Sequence, residues 1–453
     1  MTSRRRVIVV ITEGAEPRLI ARWRAAGQLP AFDALTAQGA GGPLDAEGTP
    51  YEPPGLVSLL TGQRAADHGC YSYWTCHDPQ YQPKVLTSGD GRYPLLWQRP
   101  DLADTKVASI GLFGTHPPKP LNGWLITYPM YASLHVCYPR DLQRQLAGQG
   151  IRPINDVSIF WTGQQRDELL PQLLEADRQR GRAAMALFDD GADVVIVNLT
   201  SIDRTSHIYW QELEQLEDFG GARGDGKNCA VLEAYRTADA VIAEAMSRID
   251  ENTHVIAFSE IGFGPLRAYC SVNDILADHG FLKPGSESSV EFGGTKAFEA
   301  VQGTHGVNIN VAGRYADGQV ATLDYESVRE DVAAVLGEAI NPRTGLPMFA
   351  AVSRREDVYP GSATDLAPDL ILEPADWRYL PLGDPQWATH VNRTWQSGWH
   401  RRRSYWAGAG PRFLAGRRAD NVAAVPDITA TILDALARDP AESCAGTTLC
   451  DQA

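Results

Sequence analysis

The run Val7–Ile11 constrains this chain most: five consecutive apolar, β-branched residues close to the amino end. Successive side chains of a strand point to opposite faces, so a strand apolar at every position must be covered on both sides. Asp193–Leu199 and Val255–Ser259 read the same way, and Val107–Leu112 and Trp124–Tyr128 read as further strands. Between them, helical spacing is found at Arg166–Phe188, Ala230–Ile249 and Asp427–Leu436, with a helix from about Pro17. Pro53 and Pro54 introduce the first turns of a helix at Gly55–Leu60, and Ser201–Trp210 reads as a loop followed by a helix. Strands alternating with helices specify an α/β/α sandwich around a mostly parallel sheet. A chain of 453 residues, 43% hydrophobic, is long enough for one large domain of this kind. The expectation is a single domain over 1–453 with a cap or insert at about 265–350. The Gly-, Ser- and Glu-rich stretch Gly280–Glu299 is read as a loop or lid.

In open parallel sheets, ligands bind just beyond the carboxyl ends of the strands. Glu13, Asp203 and Glu260 each fall just past such an end. Three solvated loop acids are the plain alternative, which position alone leaves open. The net charge of −15 argues against a nucleic-acid or anionic-membrane partner, since either calls for a basic surface. The arginine clusters at Arg4–Arg6 and Arg401–Arg403 are each only three residues long, and the first reads as a solvated flank. Seven cysteines with no CxxC pair read as reduced structural thiols. The amino end has no cleavage site after its short apolar run, and no stretch reaches the roughly 20 apolar residues that span a bilayer. These features suggest a cytoplasmic enzyme acting on a small molecule.

An ordered series of motifs then adds a resemblance. ITEGAEPRLI stands where a first strand is followed by an aspartate–glycine pair, and EPPGLVSLLTG with ADHG follows a threonine–Pro–Pro helix start. SIDRTSH matches a D-x-x-x-H pair, SEIGFGP a Ser–Asp–His–Gly–Phe turn, and SGWHRRRSYWAGAGPRF a late histidine and its strand. VNINVAGRYADGQV, APDLIL and PDITATIL keep the same order. Over nearly its whole length the chain resembles the type I phosphodiesterase/nucleotide pyrophosphatase branch of the alkaline phosphatase superfamily. The resemblance implies two divalent metals about 4 Å apart that clamp a displacement at phosphorus. It carries one metal onto Asp203, His207 and His400, all intact. The second metal falls on Glu13, Glu260, Ile261 and Glu52, where the family has two aspartates, a histidine and the threonine nucleophile.

All four positions of the second site depart, three of them to glutamate. That leaves four carboxylates (Glu13, Glu52, Asp203, Glu260) and two histidines (His207, His400), the composition of di-iron and di-manganese carboxylate centres. Few nitrogen donors favour iron or manganese, with zinc a possible occupant. Glu52 lacks the hydroxyl that forms a covalent intermediate. It is read as a ligand and as the catalytic position. Three functions fit: repurposed iron or manganese chemistry, oxidative or otherwise non-phosphoryl, on a small metabolite; hydrolysis of a phosphate or related ester by metal-bound water; or a metal-free binding role. The last is disfavoured because an empty cluster of glutamates would lack a counter-ion. His68 and Arg314 read as structural, and His305 as either a loop residue or a support of the site. Tyr51, Tyr71, Tyr73 and Trp74 read as core or as cavity lining.

Overall fold

The computed structural model describes residues 4–131, 133–153, 166–213, 229–381, 383–384, 386, 396–440 and 444–450. Among them, nine strands form one sheet. These are β1 (Arg6–Thr12), β2 (Ala40–Asp45), β3 (Val107–Leu112), β4 (Gly123–Thr127), β5 (Cys137–Tyr138), β6 (Val194–Leu199), β7 (Thr253–Phe258), β8 (Arg403–Ala409) and β9 (Arg417–Arg418). Their order is β9-β2-β8-β7-β1-β6-β3-β4-β5. The run β7-β1-β6-β3-β4 is parallel. Strand β8 is antiparallel to both β7 and β2, and β5 to β4.

The burial of β1 on both faces is visible residue by residue. Val7 to Ile11 are all 0% exposed. Ile8 and Val10 enter one core, whereas Val7, Val9 and Ile11 enter the other. The helices α1 (Glu52–Thr61), α2 (Arg166–Asp189), α3 (Ser201–Leu213), α4 (Ala230–Met246) and α5 (Val425–Ala435) cover these faces. The first core takes Ala183 and Leu187 of α2, Ile202 of α3 and Tyr235 of α4. The second takes Leu56 and Leu59 of α1 and Ile428 and Ile432 of α5. Burying each large apolar side chain stabilises the fold by about 1.5–3 kcal/mol, so neither layer is dispensable.

A separate four-stranded sheet is built from Ala297–Glu299, Gly306–Ile309, Leu370–Pro374 and Phe349–Arg354. Its own core gathers Phe298, Val307, Ile309, Leu370 and Leu372, with Tyr81 reaching in from the main unit. The stretch read as a loop or lid runs through two short 3-10 turns into the strand Ala297–Glu299. The segment read as loop then helix is helical from its first residue, Ser201. The cause is Asp177 of α2. Its carboxylate accepts from the backbone N–H groups of Thr200 at 3.1 Å and Ser201 at 2.8 Å, which caps α3 from a neighbouring helix. All seven cysteines are free. No helix among the described residues is long and apolar enough to cross a membrane.

Candidate metal centre

Strands β7, β1 and β6 are adjacent and parallel, so the residues that follow them emerge side by side at one sheet edge. Neighbouring strands lie about 4.8 Å apart, which brings Glu260, Glu13 and Asp203 into one pocket although up to 247 positions separate them along the chain. Gly14 makes that approach possible. Its φ is +79°, and a Cβ there would lie 3.0 Å from both Cα and Cβ of Asp203. Glu52 arrives as the first residue of α1, behind Tyr51 in extended conformation. That helix start packs directly on Glu260, because a Cβ on Gly55 would sit 2.6 Å from Glu260 Cβ. His400 comes from the strand Gly398–Arg401, paired antiparallel with Gly262–Pro265. All six residues predicted as ligands are buried.

Asp203, His207 and His400 converge tightly. His207 Nε2 lies 3.1 Å from His400 Nε2 and 3.5 Å from Asp203 Oδ2, and His400 Nε2 lies 3.0 Å from Asp203 Oδ1. Donors on a tetrahedral ion with bonds of 2.0–2.1 Å stand about 3.3 Å apart, so these separations suit one bound cation. The Nδ1–H of His207 donates to the Gly398 carbonyl at 3.0 Å, which turns the Nε2 lone pair toward the site. Burial pushes His207 down to about 3, keeping it neutral and ready to ligate. Burial alone would raise Asp203, but the adjoining His207 imidazole, the Arg204 guanidinium and the hydrogen bond with His400 outweigh it and hold the carboxyl below its usual range. Phe263 and Trp399 wall His207 at ring distances of 4.9 and 4.8 Å. The donor set, its orientation and its apolar shell all fit one divalent metal.

Glu13, Glu52 and Asp203 make a second convergent group. A cation already stands among them. Arg204 Nη1 lies 3.3 Å from Glu13 Oε1 and 3.4 Å from Glu52 Oε1, and donates to Asp203 Oδ2. Its Nη2 donates to the Tyr128 hydroxyl at 3.0 Å. The glutamate cluster therefore has a counter-ion, which corrects the expectation that it would lack one. The reason was hidden in sequence: Arg204 lies within SIDRTSH, and besides its neighbour Asp203 the acids that meet it come from two distant segments. Glu13 also accepts from Asn198 Nδ2 at 2.7 Å.

Glu260 is placed beside these groups but belongs to neither triad. Both of its oxygens, together with Glu52 Oε2 and Glu13 Oε1, are buried without a hydrogen-bond partner among the described residues. Burial pushes the carboxyls of Glu13, Glu52 and Glu260 up. Ile261, at the family's histidine position, is 0% exposed and gives no nitrogen donor. Where the resemblance implies a second ion, Arg204 Nη1 stands among oxygens of Glu13, Glu52 and Asp203 that lie close enough together to hold a cation. Tyr73 borders the site, its hydroxyl donating to Glu52 Oε1 at 3.5 Å. Tyr71 instead packs on Tyr359, and His68 is tied to Ser58 Oγ at 3.0 Å. Arg314 donates to Asp369 at 2.9 Å within the smaller sheet's unit. His305 is buried at φ +47°, next to Trp377.

With fold and site in view, the chain compares clearly with known proteins. The family described as type I phosphodiesterase / nucleotide pyrophosphatase matches residues 7–402. No curated protein sequence matches. Phosphonoacetate hydrolase from Sinorhizobium meliloti 1021, solved with phosphonoformate, superposes with a TM-score of 0.63 at 14% identity, covering 96% of this chain and 95% of that one. A PafA alkaline phosphatase variant gives 0.61 at 14% identity, with 99% of each chain covered. An inactive murine ectonucleotide pyrophosphatase / phosphodiesterase 5 in complex with AMP gives 0.55 at 10% identity, covering 98% and 97%. At these identities the likeness is one of fold.

Proposed function

The chain belongs to the type I phosphodiesterase / nucleotide pyrophosphatase family, and from that premise we propose that it is a metal-dependent hydrolase of a small ester with a tetrahedral oxyanion centre. The carrying observation is the convergence of Asp203, His207 and His400 at 3.0–3.5 Å. These three residues would hold a divalent ion, with zinc, manganese and iron as candidates. A bound ion there would polarise an ester oxygen and lower the pKa of water.

The protein's own residues supply the rest. Arg204, with Nη1 among the carboxylates and Nη2 on the Tyr128 hydroxyl, offsets their negative charge beside the site. Glu52 stands where the resemblance has a nucleophile and acts as a base: it takes a proton from the attacking water as the water oxygen bonds to the central atom, the ester bond breaks, and the departing oxygen takes a proton from solvent. Burial raises its carboxyl above the ordinary range, which strengthens it as a base. The surrounding carboxylates repel a doubly charged monoester more than a singly charged diester, so diesters and related monoanions are the favoured substrates. We read the smaller sheet's unit as a cap over this edge. Its Thr304 carbonyl accepts from Thr49 Oγ1 at 3.0 Å, three residues before Glu52.

Oxidative chemistry at a dinuclear iron or manganese centre is weighed lower, because it needs room for a second ion between the carboxylates where Arg204 stands. Turnover of nitrophenyl phosphodiesters, phosphonates and sulfates by protein loaded with zinc, manganese or iron tests the proposal. Metal-dependent release of nitrophenolate, lost in His207→Ala, is expected. Metal-loaded protein that hydrolyses none of them but consumes dioxygen would overturn it in favour of oxidation.

A further inference from the structure

We infer that the Arg204 guanidinium is the resident second cation of this centre, so the chain binds one divalent ion where the family's scheme has two. The inference rests on the hydrolase reading for the first ion and concerns a position that reading leaves open. Four observations carry it. First, a single nitrogen, Arg204 Nη1, lies within 3.4 Å of one oxygen from each of Glu13, Glu52 and Asp203. That is the place a cation shared by three carboxylates must take. Second, the other end of the fork is anchored, Nη2 donating to Tyr128 at 3.0 Å. Third, the pairing is buried: the Arg204 side chain is 9% exposed, and those of Glu13, Glu52 and Asp203 are 2%, 3% and 0% exposed. Fourth, Ile261 gives the second position no nitrogen donor.

Electrostatics closes the case. A divalent ion among the same oxygens would stand a few ångströms from a guanidinium that cannot lose its proton. Expelling Arg204 instead would strand a buried cation away from its carboxylates, a strongly unfavourable state. The glutamates also acquire a reason. Glu13 extends one methylene further than the aspartate the resemblance implies there, and Glu52 brings a carboxylate where it implies a hydroxyl, and both meet the guanidinium.

Metal counting decides the matter without reference to activity. Metal-free protein is incubated with excess zinc or manganese, desalted, and measured by native mass spectrometry and inductively coupled plasma mass spectrometry. One ion per chain is expected for the wild type, and one for Arg204→Lys, which keeps the charge. Arg204→Met, which leaves the three carboxylates without their cation, is expected to take up two. Two ions in the wild type would overturn the inference while leaving the hydrolase reading intact. Arg204→Met remaining at one ion would overturn it as well. A wild type that binds no ion sinks both readings. Should Arg204→Met fail to fold, the wild-type and Arg204→Lys counts still decide the question.

Discussion

Glu52 occupies the first position of α1, where exposed backbone N–H groups favour a negative charge. Burial works against that charge, with His400 and Arg204 opposing the burial effect. The net effect is a raised carboxyl. Glu52→Gln keeps the shape and removes the basicity. Its kcat on a nitrophenyl diester is expected to fall about 10²–10⁴-fold while the metal content stays unchanged. An unaltered kcat in steady-state assays would remove Glu52 from the chemistry. Glu52 was legible in sequence because a helix start with two prolines marks the position. The role of Arg204 was not, since its contacts come from three distant segments.

Helix α3 carries Asp203, Arg204 and His207 together, so its placement governs both cationic positions. Asp177, 0% exposed, caps it and is itself steadied by Arg180, whose Nη1 also donates to Thr200 Oγ1 at 2.7 Å. Asp177→Ala leaves two backbone donors without their acceptor and removes the carboxylate beside Arg180. It is expected to cost about 2–4 kcal/mol in urea unfolding and to weaken metal retention, although residue 177 touches no metal ligand. Retention equal to wild type in equilibrium dialysis would show that α3 holds its register without the cap. The contact between α1 and Glu260 gives a second element-level test. Gly55→Ala inserts a methyl at 2.6 Å from Glu260 Cβ and is expected to destabilise by about 1–3 kcal/mol, read as a lower thermal midpoint. Neither contact follows from spacing along the chain, because each joins residues of different elements.

The two cores of the large sheet, the core of the smaller sheet and the proposed metal centre all bear on the stability of the whole molecule. Metal bound only by the folded chain adds about 2.7 kcal/mol at a free concentration 100 times its Kd, so a chelator is expected to lower Tm in differential scanning calorimetry. The same Tm with and without chelator would mean that no ion is held. The smaller sheet's unit has its own acid sensitivity. Burial would raise Asp369, but hydrogen bonds and charge from Arg314, with His77 and Arg355, outweigh it and hold the carboxyl below its usual range. A depressed carboxyl contributes stability fully above its unfolded value of about 3.9 and loses it as pH falls through the lower folded value. Asp369→Asn should therefore cost stability at neutral pH, about 3 kcal/mol, and show a shallower loss below about pH 4. Parallel acid-unfolding curves for the two proteins would refute that assignment.

What the sequence determined by itself was the layered α/β scaffold and the edge at which acids would gather. Burial on both faces of Val7–Ile11, and the position of an acid just after a strand, are local properties that a linear pattern records. Tertiary structure alone decided which cation those acids share. Arg204 Nη1 meets Glu13, Glu52 and Asp203 only because β1 and β6 end, and α1 begins, at one point, and side-chain meetings across 152 and 191 positions leave no periodicity in a sequence.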